Sequence, residues 1–205
     1  ADKAFEKIKH IDSQYNYYSS MTREWKSDDE ILVNNQPDCH YKDIFNEFSN
    51  KGFIEKMMYT DFKTYMVDDI LCKVDRAAMF HSLETRVPFL DKDVIEYAYS
   101  IPEKFKIKGS NSKIILKDLI SNYLPRELIE RPKQGFGVPI SKWMQTDLNK
   151  WTKEMLSKDI NDTHGFFNQQ VVEKFLSEHL DGKKNHEHKL WSLIQFNSWY
   201  VERYK

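Results

Sequence analysis

The amino-acid sequence predicts an all-α fold, and three observations lead to this prediction. The 205 residues include only six glycines and six prolines, so tight turns are few. Helix-favouring Lys, Glu and Leu are abundant. Apolar residues recur with helical spacing along most of the chain, and no segment is assigned as a strand.

The first half of the chain predicts three helices. One is expected within residues 1–20, and a second carries Ile44 and Phe45 and ends near Gly52. The third covers residues 54–81, where the apolar positions keep the helical period.

The second half predicts further helices separated by turns. Pro88 disfavours helix at the preceding residue and so ends the third helix by about residue 83. Asp91 is expected to cap the next helix, and Ser110 or Asn111 the one after it. Beyond the turn-rich residues 125–139, amphipathic patterns predict a helix over residues 141–156 and then two more.

Composition excludes several classes of protein. The 31 basic and 32 acidic residues nearly cancel, which argues against a nucleic-acid or membrane-surface partner. No apolar run approaches the ~18 residues of a membrane span, and nothing at the start resembles a signal peptide. Cys39 and Cys72 are expected to be reduced thiols. A cytoplasmic protein follows as the expectation.

Several common site motifs are also missing from the sequence. It contains no Walker-type phosphate loop, no G-x-G-x-x-G and no G-x-S-x-G. The seven histidines do not form a zinc set. No metal site is therefore assigned.

Residues 73–91, KVDRAAMFHSLETRVPFLD, interleave charged and apolar side chains more densely than a solvated surface does. On a helix, Asp69, Lys73 and Arg76 share one face. In an extended segment, Glu84 and Arg86 point to the same side. Two interpretations stay open: a buried ion network that fixes the helix–loop junction, or the polar wall of an active site.

Two loops are further candidates. Lys113 ends a basic loop, GSNSK, at the start of a predicted helix, where backbone N–H groups favour an anion. The segment RPKQGFGVP forms a candidate flap over a ligand, through Arg131, Lys133, Gly135 and Gly137. A solvated loop and an ordinary connector are the alternatives.

Taken in order, DDILCKVDRAAMFHSLETRVPFLD, GSNSKIILKDL and YLPRELIERPKQGFGVPISKW resemble the C-terminal part of the synthetase domain of glutamine-hydrolysing asparagine synthetases of the B type. The resemblance runs from about Tyr59 to the last helix. It implies one helical domain, residues 1–205, with N-terminal helices (1–52), a motif-bearing core (53–145) and C-terminal helices (146–205).

The resemblance implies a reaction and a larger fold. Such enzymes adenylate the side-chain carboxylate of aspartate with ATP and Mg²⁺, and ammonia from glutamine then displaces AMP. The parent domain is an α/β fold of the adenine-nucleotide-hydrolase type, and this chain would be its helical half without the parallel sheet. The segment S-G-G-x-D-S that binds pyrophosphate in the family, the later G-E-G-x-D-E segment and the glutaminase Cys are absent.

Residue roles follow from the same resemblance. Lys113 matches the lysine of the G-x-x-K segment, which implies a catalytic role in adenylation. The residues that match the two charged segments are expected near the aspartate and phosphate site: Asp69, Lys73, Asp75, Arg76, Glu84 and Arg86.

Three consequences are expected for the chain by itself. It should be inactive and should bind ATP and Mg²⁺ only weakly. It should associate with the missing N-terminal part of the synthetase domain and the glutaminase domain, or with itself as a homo-oligomer. A relative acting on another carboxylate, as in surface-polysaccharide modification or β-lactam formation, and a non-catalytic helical association module remain alternatives.

Overall fold

A computed structural model describes residues 12–25, 29–34, 40–131 and 137–204. As predicted, the described chain is mainly helical; its sheet is one small antiparallel hairpin of β1 (Ile107–Lys108) and β2 (Asn111–Ser112). None of the described helices has the length and apolar character needed to cross a membrane.

The helices are numbered in chain order. They are α1 Gln14–Thr22, α2 His40–Glu47, α3 Phe53–Lys63, α4 Cys72–Met79, α5 Lys92–Ser100, α6 Glu103–Lys106, α7 Ile114–Ile120, α8 Arg126–Ile129, α9 Ile140–Gln145, α10 Asn149–Met155, α11 Lys158–His164, α12 Gln169–Leu180 and α13 Glu187–Tyr204, with a π-helix over Met66–Leu71 and a 3₁₀ turn over Pro88–Leu90.

The chain divides into two compact units. The first consists of Ala1–Asp38 and Phe136–Lys205, and the second of Cys39–Gly135. The sequence-based boundaries at residues 52 and 145 stay a prediction. All five tryptophans belong to the first unit, so tryptophan fluorescence reports on that unit alone.

The first unit has a conventional buried core. Helices α9 to α13 surround it, and residues 29–34 add to it because Ile31 is buried and Leu32 forms a bridge with Phe167. Burial of these side chains is the main stabilising term for the unit. The buried cluster comprises Ile31, Met144, Leu156, Val172, Leu190, Leu193 and Ile194.

A buried amide in α13 joins two other helices of the first unit, α10 and α11. The Asn197 side chain donates to the Met155 carbonyl at 2.6 Å and to Asn161 Oδ1 at 2.8 Å, and its Oδ1 lies 3.0 Å from His164 Nε2. Asn197 is fully buried. Its removal would therefore leave several buried polar groups without partners.

We expect Asn197→Ala to lower the free energy of unfolding of the first unit by about 2–3 kcal/mol, because an unsatisfied buried polar group costs ~1–3 kcal/mol. Urea unfolding followed by tryptophan fluorescence measures this. Asn34→Ala, at an exposed position of the same unit, serves as the control and should change stability by less than about 0.5 kcal/mol. Equal effects of the two substitutions would contradict the role given to Asn197.

The second unit has a small core at its start. Ile44 and Phe45 of α2 are buried, as their spacing predicts. Phe48 stacks on Tyr59 of α3 with ring centroids 4.2 Å apart, and Tyr59 donates to Glu47 at 2.8 Å. These contacts fix α2 against α3.

The single helix predicted over residues 54–81 is wrong in detail. Helix α3 ends at Lys63, the π-helix follows, and α4 ends at Met79. The interruption falls where Thr60 and Thr64 direct their hydroxyls to the carbonyls four residues earlier, at 2.8 and 2.7 Å. Such back-bonding bends helices, and π-helical turns are frequent at functional sites.

The motif-bearing part of the second unit lacks a buried core. No residue from 65 to 131, all of them described, is buried. Phe80 is 84% exposed and Tyr123 79% exposed, and Leu119 and Ile120 of α7 are exposed as well. The apolar residues of this segment are therefore not covered by the segment itself.

Candidate functional site

An open groove of about 700 Å³ lies in the second unit, at the charged motif. One wall comes from the end of the π-helix and the start of α4, and the other from the extended segment and the 3₁₀ turn that follow. The groove is lined by Leu71, Cys72, Val74, Asp75, Thr85, Arg86, Val87, Pro88, Leu90 and Asp91.

Local sequence explains the second wall. Pro88 begins the 3₁₀ turn, and Val87 before it is extended, with φ −103° and ψ 106°. Asp91 then caps α5, because its carboxylate accepts from the backbone N–H of Asp93 at 3.0 Å. The cap predicted at Asp91 is confirmed, and it fixes a carboxylate at the rim of the groove.

Two ion pairs form within the motif. Lys73 Nζ lies 2.5 Å from Asp69 Oδ1, and this hydrogen bond raises the pKa of Lys73. Arg86 pairs with Glu84 in the extended segment. Both pairings agree with the predicted spacing.

The buried ion network considered from the sequence is wrong for this structure. The Lys73 side chain is 69% exposed and that of Arg86 is 86% exposed. Exposed pairs contribute little to stability, typically ~0–1 kcal/mol. The charges are therefore available to a ligand or to another protein surface.

Asp75 and Arg86 are the sequence-predicted site residues that line the groove. Arg76 is exposed on α4 but does not line it. The groove thus presents a guanidinium, Arg86, with two carboxylates, Asp75 and Asp91. Such a wall can hold an amino-acid zwitterion, since each charge of the ligand finds an opposite charge.

Lys113 lies at the end of the β1–β2 hairpin and immediately before α7. Its backbone is left-handed, with φ 60° and ψ 36°. A non-glycine residue in this region carries strain that often accompanies a functional constraint. Lys113 is exposed, and it is not among the residues that line the groove.

The cap predicted for α7 at Ser110 or Asn111 is wrong. Lys113 itself occupies the cap position, and no side chain caps the helix there. Asn111 instead belongs to β2 and accepts from Lys117 Nζ at 2.5 Å. The turn between the strands needs Gly109 at φ 59°, and this positive φ could not be located from composition alone.

The candidate flap is only partly described. Arg131 and Gly137 are both exposed. A side chain added at Gly137 would meet no atom within 4 Å. Lys133 and Gly135 lie outside the described residues. The flap stays a prediction.

Thr85, Asp91 and Cys72 line the groove but were not predicted as site residues. From the sequence, Asp91 is predicted only as a helix cap, and Thr85 carries no charge that would indicate a site. Pro88 was the available signal, because it turns the chain so that residues 85–91 face α4.

A second open groove, of about 890 Å³, lies in the first unit beside residues 30–34 and the start of α12. None of the sequence-predicted site residues lines it. In the described part of the chain, no group of three His, Cys, Asp or Glu side chains could hold a metal ion.

The family model described as "Asparagine synthase" matches residues 3–201 of this chain. The chain is 33% identical to asparagine synthetase [glutamine-hydrolyzing] 1 of Bacillus subtilis over 175 residues, covering 83% of the chain and 27% of the relative. It is 34% identical to asparagine synthetase [glutamine-hydrolyzing] of Rattus norvegicus over 113 residues, covering 54% and 18%.

These relatives are much longer than the matched region. The chain spans about a quarter of the length of the Bacillus subtilis protein. No solved structure gave a significant match.

Proposed function

The chain belongs to the asparagine synthase family, and on that premise we propose that it forms part of an ATP-dependent synthetase that converts aspartate to asparagine. The match along residues 3–201 is the observation that carries this proposal. The motifs lie within that match, and two of their charged residues, Asp75 and Arg86, line an open groove in the second unit.

The reaction has two steps. An oxygen of the aspartate side-chain carboxylate attacks the α-phosphorus of ATP, pyrophosphate leaves, and β-aspartyl-AMP forms. Ammonia derived from glutamine then attacks the acyl carbon, and AMP leaves with the carboxylate oxygen. Adenylation makes the acyl group reactive, because AMP is a far better leaving group than hydroxide.

The described residues have distinct roles in this proposal. Lys113 places an ammonium against the negative charge that develops on the α-phosphate oxygens. Arg86, Asp75 and Asp91 give the groove the charges that aspartate needs for recognition of its carboxylate and ammonium groups. Asp69 and Lys73 pair with each other and support the first wall.

In the described residues, no group of three His, Cys, Asp or Glu side chains could hold a metal ion. Mg²⁺ bound together with ATP would take most of its ligands from phosphate oxygens and water, with one or two carboxylates. The roles given to Lys113, Arg86, Asp75 and Asp91 do not depend on a metal ligand from this chain.

The lack of a core in residues 65–131 supports an enzyme larger than this chain. Exposed apolar surface beyond a few hundred Å² is usually covered by a partner. We assign that cover to the remaining part of the synthetase domain, in line with the length of the relatives.

The 205-residue chain by itself should form no asparagine, because it lacks the S-G-G-x-D-S segment that binds pyrophosphate. The measurement is chromatography of asparagine after incubation with ATP, Mg²⁺, aspartate and ammonia. The protein encoded by the complete reading frame is the positive control and should form asparagine. Asparagine produced by the chain alone would contradict this prediction.

Pyrophosphate release by the complete protein separates the alternatives. If the complete protein releases pyrophosphate with another carboxylate and not with aspartate, the chain comes from a relative with different specificity. If no carboxylate among a panel of amino acids and sugar acids supports pyrophosphate release, the chain serves as an association module.

A further inference from the structure

A buried histidine in the first unit plays no part in the proposed reaction. His179 lies in the last turn of α12 and is fully buried. The Gln145 side chain of α9 donates to the His179 carbonyl at 2.8 Å. His179 is therefore held where α9, the end of α12 and the start of α13 meet.

The ring of His179 fastens the start of α13. Its Nδ1 accepts from the backbone N–H of His186 at 3.1 Å, and the His186 carbonyl accepts in turn from the N–H of Leu190 at 2.9 Å. Leu190 is fully buried in the core. The contact thus ties the turn after α12 to the first buried residue of α13.

This geometry requires a neutral ring. Because Nδ1 is an acceptor, the single ring proton must reside on Nε2. A second proton on Nδ1 would face the His186 N–H, so that two donors would point at each other. Nε2 is itself buried.

The surrounding charges do little to favour a cation. Glu178 precedes His179 on α12, and its carboxylate oxygen Oε2 lies 2.7 Å from His186 Nε2, so it pairs with His186. The charge of His186 opposes protonation of His179, whereas Glu187 and the Ser141 carbonyl favour it. The amino-terminal end of α13 opposes a cation through its dipole, whereas the carboxyl-terminal end of α12, where His179 lies, favours one.

We propose that His179 is an acid-sensitive latch, which holds the α12–α13 hairpin closed while its ring is neutral and releases the start of α13 when the ring is protonated. Burial lowers the pKa of His179 below its usual value. The unfolded chain consequently takes up the proton first. The stabilising contribution is complete above pH ~6.5 and is lost as pH falls below that value.

Hydrogen exchange measured by mass spectrometry tests the latch in the 205-residue chain. After correction for the intrinsic exchange rate, amides in residues 186–194 should lose protection between pH 7.5 and 5.5, by up to about tenfold, the limit for one group with an unfolded pKa of ~6.5 and a lowered pKa when folded. Amides of α10 provide the internal reference and should change much less. Unchanged protection in residues 186–194 would overturn the proposal.

Two variants test whether the pH dependence of amide protection comes from the ring of His179. His179→Asn keeps an acceptor oxygen near the position of Nδ1 but does not titrate, so it should remove the pH dependence in residues 186–194. His188→Asn replaces a histidine on α13 whose side chain is 66% exposed, and it should retain the wild-type dependence. A His179→Asn protein with the wild-type dependence would overturn the proposal. If His179→Asn does not fold, the pH dependence of protection in residues 186–194 of the wild-type chain tests the proposal by itself.

Discussion

Replacing Lys113 with Gly in the complete enzyme should lower the rate of adenylation by about 10²–10³-fold. One preorganised charge-stabilising contact in a transition state is worth about that much. Because the ammonium is proposed to act mainly in the transition state, kcat and kcat/KM should fall together. Pyrophosphate release measures the effect.

Glycine is the informative replacement because of the backbone at Lys113. At φ 60° a glycine is free of the strain that a side chain carries. Lys113→Gly should therefore melt at or above the wild-type temperature while it loses activity. A parallel loss of stability and activity would indicate a structural role for Lys113.

Two further variants complete the test at Lys113. Lys113→Arg should restore little activity, since a planar guanidinium does not replace a compact ammonium. Lys108→Ala, on β1 of the same hairpin, removes an exposed lysine and should leave the rate within threefold of wild type. A Lys113→Gly enzyme equally close to wild type would show that Lys113 is a solvated lysine.

The second large effect concerns Phe89, in the 3₁₀ turn between two residues that line the groove. Its side chain is 63% exposed in this chain. We expect Phe89→Ala to cost less than about 0.5 kcal/mol in the 205-residue chain. In the complete enzyme, where the rest of the domain is proposed to cover this face, it should cost about 3–5 kcal/mol.

Chemical unfolding followed by circular dichroism measures both values. Leu190→Ala is the matched control, since Leu190 is fully buried within the first unit and should cost about 2–5 kcal/mol in both proteins. An equal, small effect of Phe89→Ala in the two proteins would contradict the proposed cover.

Much of the fold could be predicted because it depends on local patterns. The apolar spacing at Ile44 and Phe45 places both in the core, and Asp91 caps α5 through a contact two residues away. The pairing of Asp69 with Lys73 follows from helical spacing even though a π-helix precedes α4. In each case, the interaction lies within a few residues of chain.

The structure departs from the sequence-based prediction where competing local interactions or distant residues determine the backbone conformation or the burial of a side chain. The hydroxyls of Thr60 and Thr64 donate to backbone carbonyls of the preceding turn, which an apolar periodicity does not show. The left-handed backbone of Lys113 depends on the hairpin before it. Leu119 and Ile120 lie on an apolar face of α7 but are exposed, because the apolar pattern does not identify what covers the face.

We propose that this chain serves an enzyme that adenylates aspartate. The most direct measurement uses aspartate labelled with ¹⁸O in its side-chain carboxylate, with ATP, Mg²⁺ and ammonia, and the protein encoded by the complete reading frame. One ¹⁸O atom should appear in AMP, because the attacking oxygen stays on phosphorus when ammonia displaces the nucleotide. Label found in inorganic phosphate with release of ADP, or AMP formed without label, would contradict the claim.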